Sequence, residues 1–493
     1  MKLYFEAEQF LSPYKGKGIG GSLQSRIFNE AKLVNSPKHI YALVYSTLKY
    51  KEHIQAIIRK SKIKQTLQTK KLKISDNLLL LVVHDLLFNS KGRIQLGKHP
   101  IKDAILQHKT RLQAEFTKLK LKYKAKSAED LPTSVSSDDE TPIRWFRVNT
   151  IKTTPEKFFQ DHPFFAKLEP ISSIEIKETG FIYTDDYIPN LYGIHPKEKL
   201  TSTAAYLKGE VIIQDRASCF PAHILNDDPS DNHIEIIDSC AAPGNKTTHC
   251  ASYLPRSEDS VVYAFERDSN RVKVLKTMCE KATGIKYKNL IQITHADFTS
   301  TKPQDFPCVT GLVVDPSCSG SGIFGRAIED AQLQEQEKEE IDTERLNRLA
   351  GFQFKIMKHA LLFPKARKVV YSTCSIHPHE NERVVVDLLM DKEIKASGWQ
   401  LASRDIVISE WPKRGWKEEF TAVCGGNEEE CEALAGGCVR ATPKEDGGIG
   451  FFAACFIKKD ISDEDSERQK VNKEENDIDE ETEEQGEEWS GFD

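Results

Sequence analysis

Two cysteines carry the most pointed chemistry in this sequence. Cys318 lies in DPSCSGSG (315–322) and Cys374 in STCS (372–375), each in a turn rich in serine just past a predicted strand. A lone thiol is ordinarily a small buried hydrophobe, but neither of these sits in an apolar run. They form no CxxC pair and lack the spacing of zinc ligands, which argues against dithiol exchange and against a metal. A thiolate beside an electron-poor ring can instead act as a covalent catalyst. Adding to C6 of a pyrimidine, it turns C5 into an enamine-like carbon able to accept a methyl group. The C5 proton must then leave before the thiolate is expelled, and that step calls for a second group. Asp315, expected at the edge of the same pocket, could hydrogen-bond the N3/N4 edge of the ring and offset charge in the adduct.

A second cluster points to a nucleoside-containing cofactor. Cys240-Ala241-Ala242-Pro243-Gly244-Asn245-Lys246 follows a predicted strand ending in Asp238 and opens a predicted helix. Small residues, one proline and one glycine make a tight loop whose amides can approach a ligand. It is neither a GxxxxGK(S/T) phosphate loop nor a GxGxxG dinucleotide loop. Glu266 ends the next strand roughly 20–30 residues further on, where a ribose-binding carboxylate is expected. Apolar strands at 233–238, 261–266, 290–294, 311–315 and 368–373 alternate with helical stretches at 246–254, 268–282 and 343–361. That alternation predicts an α/β fold, a parallel sheet with helices on both faces that binds ligands beyond the carboxyl ends of its strands. The third strand leads into His295-Ala296-Asp297-Phe298 on the same rim.

The rest of the chain must position this block. At roughly 100–200 residues per domain, 493 residues give two to four domains. Ile40, Leu43, Val44, Leu48, Ile54 and Ile57 recur at helical period across 38–62, and 101–124 repeats the pattern. Asp76 reads as the N-cap of a buried helix over LLLLVVHDLLF. A basic, all-helical domain is therefore expected over 1–126, followed by a Ser/Asp/Glu-rich linker over 127–142. IRWFRVNTIK (143–152) alternates in strand period, with Trp145 and Phe146 between Arg144, Arg147 and Lys152. With strands at 173–178 and 181–185 it predicts a small α+β domain over 143–205. The α/β block then runs over 206–459, and the acidic stretch 460–493 is expected to be disordered. The segment 413–448 brings Cys424, Cys431 and Cys438 at seven-residue steps and reads as a surface insertion rather than a metal site.

Charge is strongly polarised. Residues 1–126 hold 26 Lys+Arg against 8 Asp+Glu, whereas 460–493 hold 3 against 16. A basic block of that size favours a polyanion such as nucleic acid. The apolar run at 78–83 falls far short of the about 20 residues that span a bilayer, and the N-terminus has no secretory pattern. Eleven cysteines are sparse and odd in number, so reduced thiols and an intracellular compartment are expected.

DSCAAPGNKT, DPSCSGSG and STCS, in this order and spacing, resemble the Nop/Sun (NSUN) family of S-adenosylmethionine-dependent RNA cytosine-5 methyltransferases. YALVYSTLKY (41–50), FRVNTIKT (146–153), GEVIIQDRASC (209–219), AGFQ (350–353) and GFFAACF (450–456) extend the likeness to the subfamily acting on large-subunit ribosomal RNA. The resemblance implies a methyltransferase Rossmann-like fold, preceded by an α+β RNA-recognition-like domain and the helical domain. It implies Cys374 as nucleophile and Cys318 as the thiol assisting proton removal and release. By the same likeness, Cys240, Ala241, Ala242, Pro243, Gly244, Asn245 and Lys246 hold the cofactor, with Glu266 on the ribose and Asp297 on the adenine side. Asp315 lies near methyl donor and base, and Arg271 is a further cofactor contact. DNA cytosine methyltransferases use the cysteine of the fourth-strand motif as nucleophile, so the two thiol roles rest on resemblance and not on chemistry.

The implied partner is large-subunit ribosomal RNA or a pre-ribosomal particle, with the target base unpaired or flipped out. The basic helical domain and the strand at 143–152 would grip the RNA backbone. Nuclear and nucleolar residence follows from that substrate class, and a monomer without membrane association is expected. Two alternatives stand beside this reading: a non-catalytic RNA-binding assembly factor, and the same chemistry on transfer RNA.

Overall fold

The computed structural model describes residues 2–11 and 23–458, apart from 29, 31, 70–71, 90–91, 96, 129, 133–140, 227–232, 258 and 324–334. The acidic tail and much of the expected linker thus lie outside the described residues. Two compact units result, 1–141 with 323–345, and 142–322 with 346–493.

The first unit is helical. Its central helix, Asp76–Leu87, buries every residue from Leu78 to Leu86. The cap is Ser75 rather than Asp76: its Oγ accepts from Leu78 N at 3.0 Å, and Asp76 sits in the first turn, where a negative charge suits the helix dipole. Two polar side chains inside this helix find partners in the same unit. His84 Nε2 meets Ser46 Oγ at 2.7 Å, and Tyr4 donates to Asp85 at 2.6 Å. The helical pattern over 38–62 is broken into Pro37–Lys49 and Lys51–Ser61 at Tyr50, whose backbone leaves helical geometry at φ −105° and ψ 14° and whose ring packs on Phe88. A similar break at His108 separates Pro100–Gln107 from Lys109–Lys122.

The second unit holds two sheets. The smaller contains β1 (Arg144–Val148), β2 (Glu169–Ile171), β3 (Phe181–Thr184), β4 (Leu191–Ile194) and β5 (Val211–Ile213), in the order β2-β3-β4-β1-β5. Its last strand lies beyond the boundary expected at 205, because β5 pairs with β1 through Phe146 and Ile213. The stretch 173–178 forms no strand. The larger sheet comprises β6 (Glu235–Asp238), β7 (Val261–Glu266), β8 (Ile291–His295), β9 (Val309–Val314), β10 (Lys368–Thr373), β11 (Trp399–Leu401), β12 (Cys438–Ala441) and β13 (Phe451–Lys458). Its order is β11-β13-β10-β9-β6-β7-β8, with β12 also on β13. The five strands β10-β9-β6-β7-β8 are parallel, and the chain reverses its direction of travel across the sheet between β6 and β9. Such a switch point opens a crevice at the carboxyl edge.

The small sheet is part of the same core as the large one. Trp145 Nε1 donates to Gly447 O at 2.8 Å, and Asn149 Nδ2 to Ala282 O at 2.9 Å. Trp145, Phe146 and Arg147 are 2 % exposed or less, so the middle of β1 is covered on both faces and does not present the basic-aromatic stripe that its composition suggested, while Arg144 is half-buried and Lys152 exposed. The segment 413–448 also departs from expectation. It supplies β12 and the core residues Phe420, Cys424, Cys431 and Cys438, so it is no surface insertion. Cys424 and Cys431 are joined in a disulfide with Cα atoms 5.9 Å apart, against the expectation of reduced thiols throughout. No helix among the described residues is long and apolar enough to cross a membrane.

Candidate active site

The site is assembled where β6, β7, β9 and β10 end. Asp238, the last residue of β6, is buried, and Thr247 donates its hydroxyl to it at 2.6 Å. That bond ties the start of the 240–246 loop to the helix Asn245–Tyr253. Burial pushes the Asp238 carboxyl up to about 6, against the pull of the Thr247 bond. Gly244 turns the loop with φ +112°, a conformation that side chains resist, and a Cβ there would press on Met278 and Leu275. The helix opens immediately after it, and its first-turn amides have no acceptors within the helix.

Glu266 ends β7 and is 4 % exposed. Arg271 Nη1 lies 3.1 Å from its carboxylate, and Arg271 Nη2 donates to Ala242 O at 2.6 Å. Arg271 is thus a strut between the 240–246 loop and Glu266, not a loose helix-surface residue. Asp297 stands past the end of β8, where the Thr299 amide and hydroxyl donate to it and hold its carboxyl below the usual range. Its nearest cation is Arg267 at 3.9 Å, so it contacts no other member of the set.

Asp315 follows β9. Ser372 donates to one of its oxygens at 2.7 Å, and Lys246 Nζ lies 2.8 Å from the other. Lys246 also donates to Ser218 Oγ at 3.0 Å. Burial alone would favour its neutral form, but the Asp315 carboxylate outweighs that and holds the ammonium above the usual lysine range, with Cys374 contributing in the same direction. This ion pair joins the loop after β6 to the edge of the thiol pocket.

The two thiols meet across the neighbouring strands β9 and β10, with Cys318 Sγ 3.1 Å from Cys374 Sγ. The hydrogen bond with Cys374, followed by burial, raises the Cys318 thiol well above its ordinary value. Gly322 N donates to Cys374 O at 3.0 Å, and a Cβ on Gly322 would strike the backbone of Gly450, so this crossing demands glycine. Among the described residues no group of His, Cys, Asp and Glu could hold a metal ion.

Of the residues singled out in the sequence, the loop 240–246, Glu266, Arg271, Asp315, Cys318 and Cys374 therefore form one connected rim. Sequence reasoning passed over Ser218 and Ser372, which fix Lys246 and Asp315, and over Glu380, Asn381 and Glu382. The last three are each fully buried. Their signal was three consecutive polar residues at the head of the apolar helix Glu382–Met390, a place where polar side chains ordinarily face water.

Residues 222–457 match the family described as 16S rRNA methyltransferase RsmB/F, and residues 38–131 match the N-terminal domain of NOL1/NOP2/Sun domain family member 5. The chain is 41 % identical to the 25S rRNA (cytosine-C(5))-methyltransferase rcm1 of Schizosaccharomyces pombe, over 92 % of this chain and 91 % of that protein. It is 31 % identical to a 28S rRNA (cytosine-C(5))-methyltransferase of Mus musculus, over 94 % and 92 % of the two chains. The crystal structure of PH0851 superposes with a TM-score of 0.53 at 20 % identity, covering 93 % of this chain and 98 % of that one, a likeness of fold. With nearly the full length aligned and both halves matched, the chain belongs to the NOL1/NOP2/Sun family of rRNA (cytosine-C5)-methyltransferases, in the branch of family member 5.

Proposed function

We propose that this methyltransferase modifies C5 of a cytosine in large-subunit ribosomal RNA, using S-adenosylmethionine and a transient bond between Cys374 and C6 of the base. The observation that carries this reading is the pair of sulfurs 3.1 Å apart at the carboxyl ends of two adjacent parallel strands, beside the Asp315–Lys246 pair.

The residues fit the methyl donor. The helix-opening amides after Gly244 suit a carboxylate, and the buried Glu266 suits the two hydroxyls of a ribose. Asp297, one strand further along the rim, suits the exocyclic amine of adenine. Bound S-adenosylmethionine supplies an electrophilic methyl group. In this chain, Cys374 Sγ attacks C6, and the ring electrons move to C5, which takes the methyl group. Asp315 accepts from the N4 side of the ring and holds the base edge. The C5 proton passes to solvent with help from Cys318, its C–H electron pair re-forms the C5–C6 double bond, and the Sγ–C6 pair returns to Cys374 as the thiolate. Reaching the pocket costs the base its stacking, a few kcal/mol in a duplex. Nuclear and nucleolar residence follows from this substrate.

The test uses two variants. Cys374→Ala should abolish methyl transfer, and Cys318→Ala should accumulate a protein–RNA adduct that survives denaturation. Trapping by Cys374→Ala instead would reverse the two roles. Unimpaired transfer by Cys374→Ala, read by mass spectrometry of the RNA, would end the covalent reading altogether.

A further inference from the structure

Five residues after Cys374 the chain reads His379-Glu380-Asn381-Glu382, and the last three side chains are fully buried. Glu380 reaches the Cys318 turn. Its Oε1 accepts from Ser319 N at 2.7 Å and from Gln353 Nε2 at 3.0 Å, while Gln353 Nε2 also donates to Ser317 O at 3.1 Å. Cys318 is thus held through both of its neighbours. Asn381 does the same for the other thiol: its Oδ1 accepts from Thr373 Oγ1 at 2.6 Å, and its Nδ2 donates to Ser375 O at 3.0 Å. Adjacent residues therefore reach the flanks of the two cysteines, Asn381 bonding both Thr373 and Ser375 directly, and Glu380 bonding Ser319 directly and Ser317 through Gln353.

Packing does not account for this choice. A buried carboxylate is costly, and Glu380 Oε2 is buried without a partner. An apolar pair of similar volume would fill the space at lower cost but would leave Ser319 N and Ser375 O without these partners. We propose that Glu380 and Asn381 are positioning residues that together set the separation of the two sulfurs, Glu380 placing Cys318 and Asn381 placing Cys374. Which catalytic step each one serves rests on the covalent reading above; the clamp itself does not.

Two readouts keep them apart. In the full-length enzyme, diamide closes Cys318 and Cys374 into a disulfide, the two thiols losing two hydrogens and the diamide gaining them. The linked peptide reports the rate. Glu380→Ala and Asn381→Ala should each slow closure by about ten-fold or more, since sub-ångström placement is lost. Glu380→Gln keeps an acceptor for Ser319 N and should restore a rate within about three-fold of wild type. Equal closure in all four proteins overturns the clamp, as does failure of Glu380→Gln to rescue.

The second readout is catalytic. Glu380→Ala should lower kcat by about ten- to a hundred-fold with little change in KM for RNA, and should accumulate the denaturation-resistant adduct. Asn381→Ala should lower kcat without adduct. Cys318→Ala is the control: if it traps no adduct, the assignment of steps falls and the closure rates still decide the clamp. If it traps while Glu380→Ala neither traps nor slows closure, the clamp falls and the covalent reading stands. Should Glu380→Ala not fold, Gln353→Leu frees Ser317 O and carries the same expectations.

Discussion

Asp238 illustrates how one residue of this site ties stability to pH. Its carboxyl is raised from 3.8 to about 6, chiefly by burial. A carboxyl whose folded pKa exceeds its unfolded value holds its proton more tightly in the native state. Its contribution to stability is therefore greatest below pH 4 and is lost as pH rises through 6. Asn at this position keeps an oxygen and an amide near Cys240 and Thr247 but cannot ionise. The stability of Asp238→Asn relative to wild type should thus grow between pH 4 and pH 7 by on the order of 3 kcal/mol. Urea unfolding at several pH values measures this, and two profiles that run parallel would contradict it. Glu266 allows a complementary prediction for ligand affinity. Glu266→Ala should weaken S-adenosylmethionine binding by about ten-fold or more in calorimetry, the loss of a charge-assisted hydrogen bond. Unchanged affinity would remove Glu266 from the ribose site.

Among the elements, the strands that carry the motifs were legible because their signals are local. Five apolar runs at βα spacing predict β6 to β10, and the structure places them within two residues of the expected bounds, with β8 starting at Ile291 and β9 at Val309. Elements that depend on distant partners were not legible. The three-residue strand β5 exists because β1 lies beside it, and β12 because β13 does. Likewise, Trp145 and Arg147 read as an exposed basic-aromatic stripe, since composition cannot reveal that Gly447 and Thr248 will cover them. The segment 413–448 differs from expectation for a related reason: its run of glutamates looks solvated, yet Arg440 pairs with the buried Glu382 at 2.5 Å and donates to Ile376 O at 3.1 Å, two residues beyond Cys374. Removing one partner of a buried pair leaves an uncompensated charge, so Arg440→Ala should destabilise by about 3–5 kcal/mol. The half-exposed Arg383–Glu419 pair offers the contrast, and Arg383→Ala should cost at most about 1 kcal/mol. Equal effects in urea unfolding would mean that the Glu382–Arg440 pair does not anchor this segment.

For the molecule as a whole, charge is the property that the folded chain redistributes into a surface. The apolar stripes of the helical unit turn inward, and its lysines stay out. The end of helix Lys109–Lys122 and the residues after it present Lys118, Lys122, Lys124 and Lys126 around the exposed Leu121 and Tyr123. Lys122 Nζ lies 5.0 Å from the Tyr123 ring, and Lys120 Nζ 5.2 Å from that of Phe116. Cations interleaved with an exposed ring are what a single-stranded polyanion with stackable bases requires. With the middle of β1 buried, this face is where contact with the RNA is predicted. Each phosphate neutralised by a lysine releases counterions, so binding should weaken steeply with salt, and the slope of log affinity against log salt reports how many phosphates are neutralised. Replacing Lys118, Lys122, Lys124 and Lys126 together by Gln should reduce that slope by about 1 for each phosphate left without its lysine, and should raise KM for RNA. Tyr123→Ala should instead lower affinity by about 1–3 kcal/mol at every salt concentration, because stacking carries no net charge. Parallel salt plots for wild type and the Gln variant would place the RNA-binding face of the helical unit elsewhere.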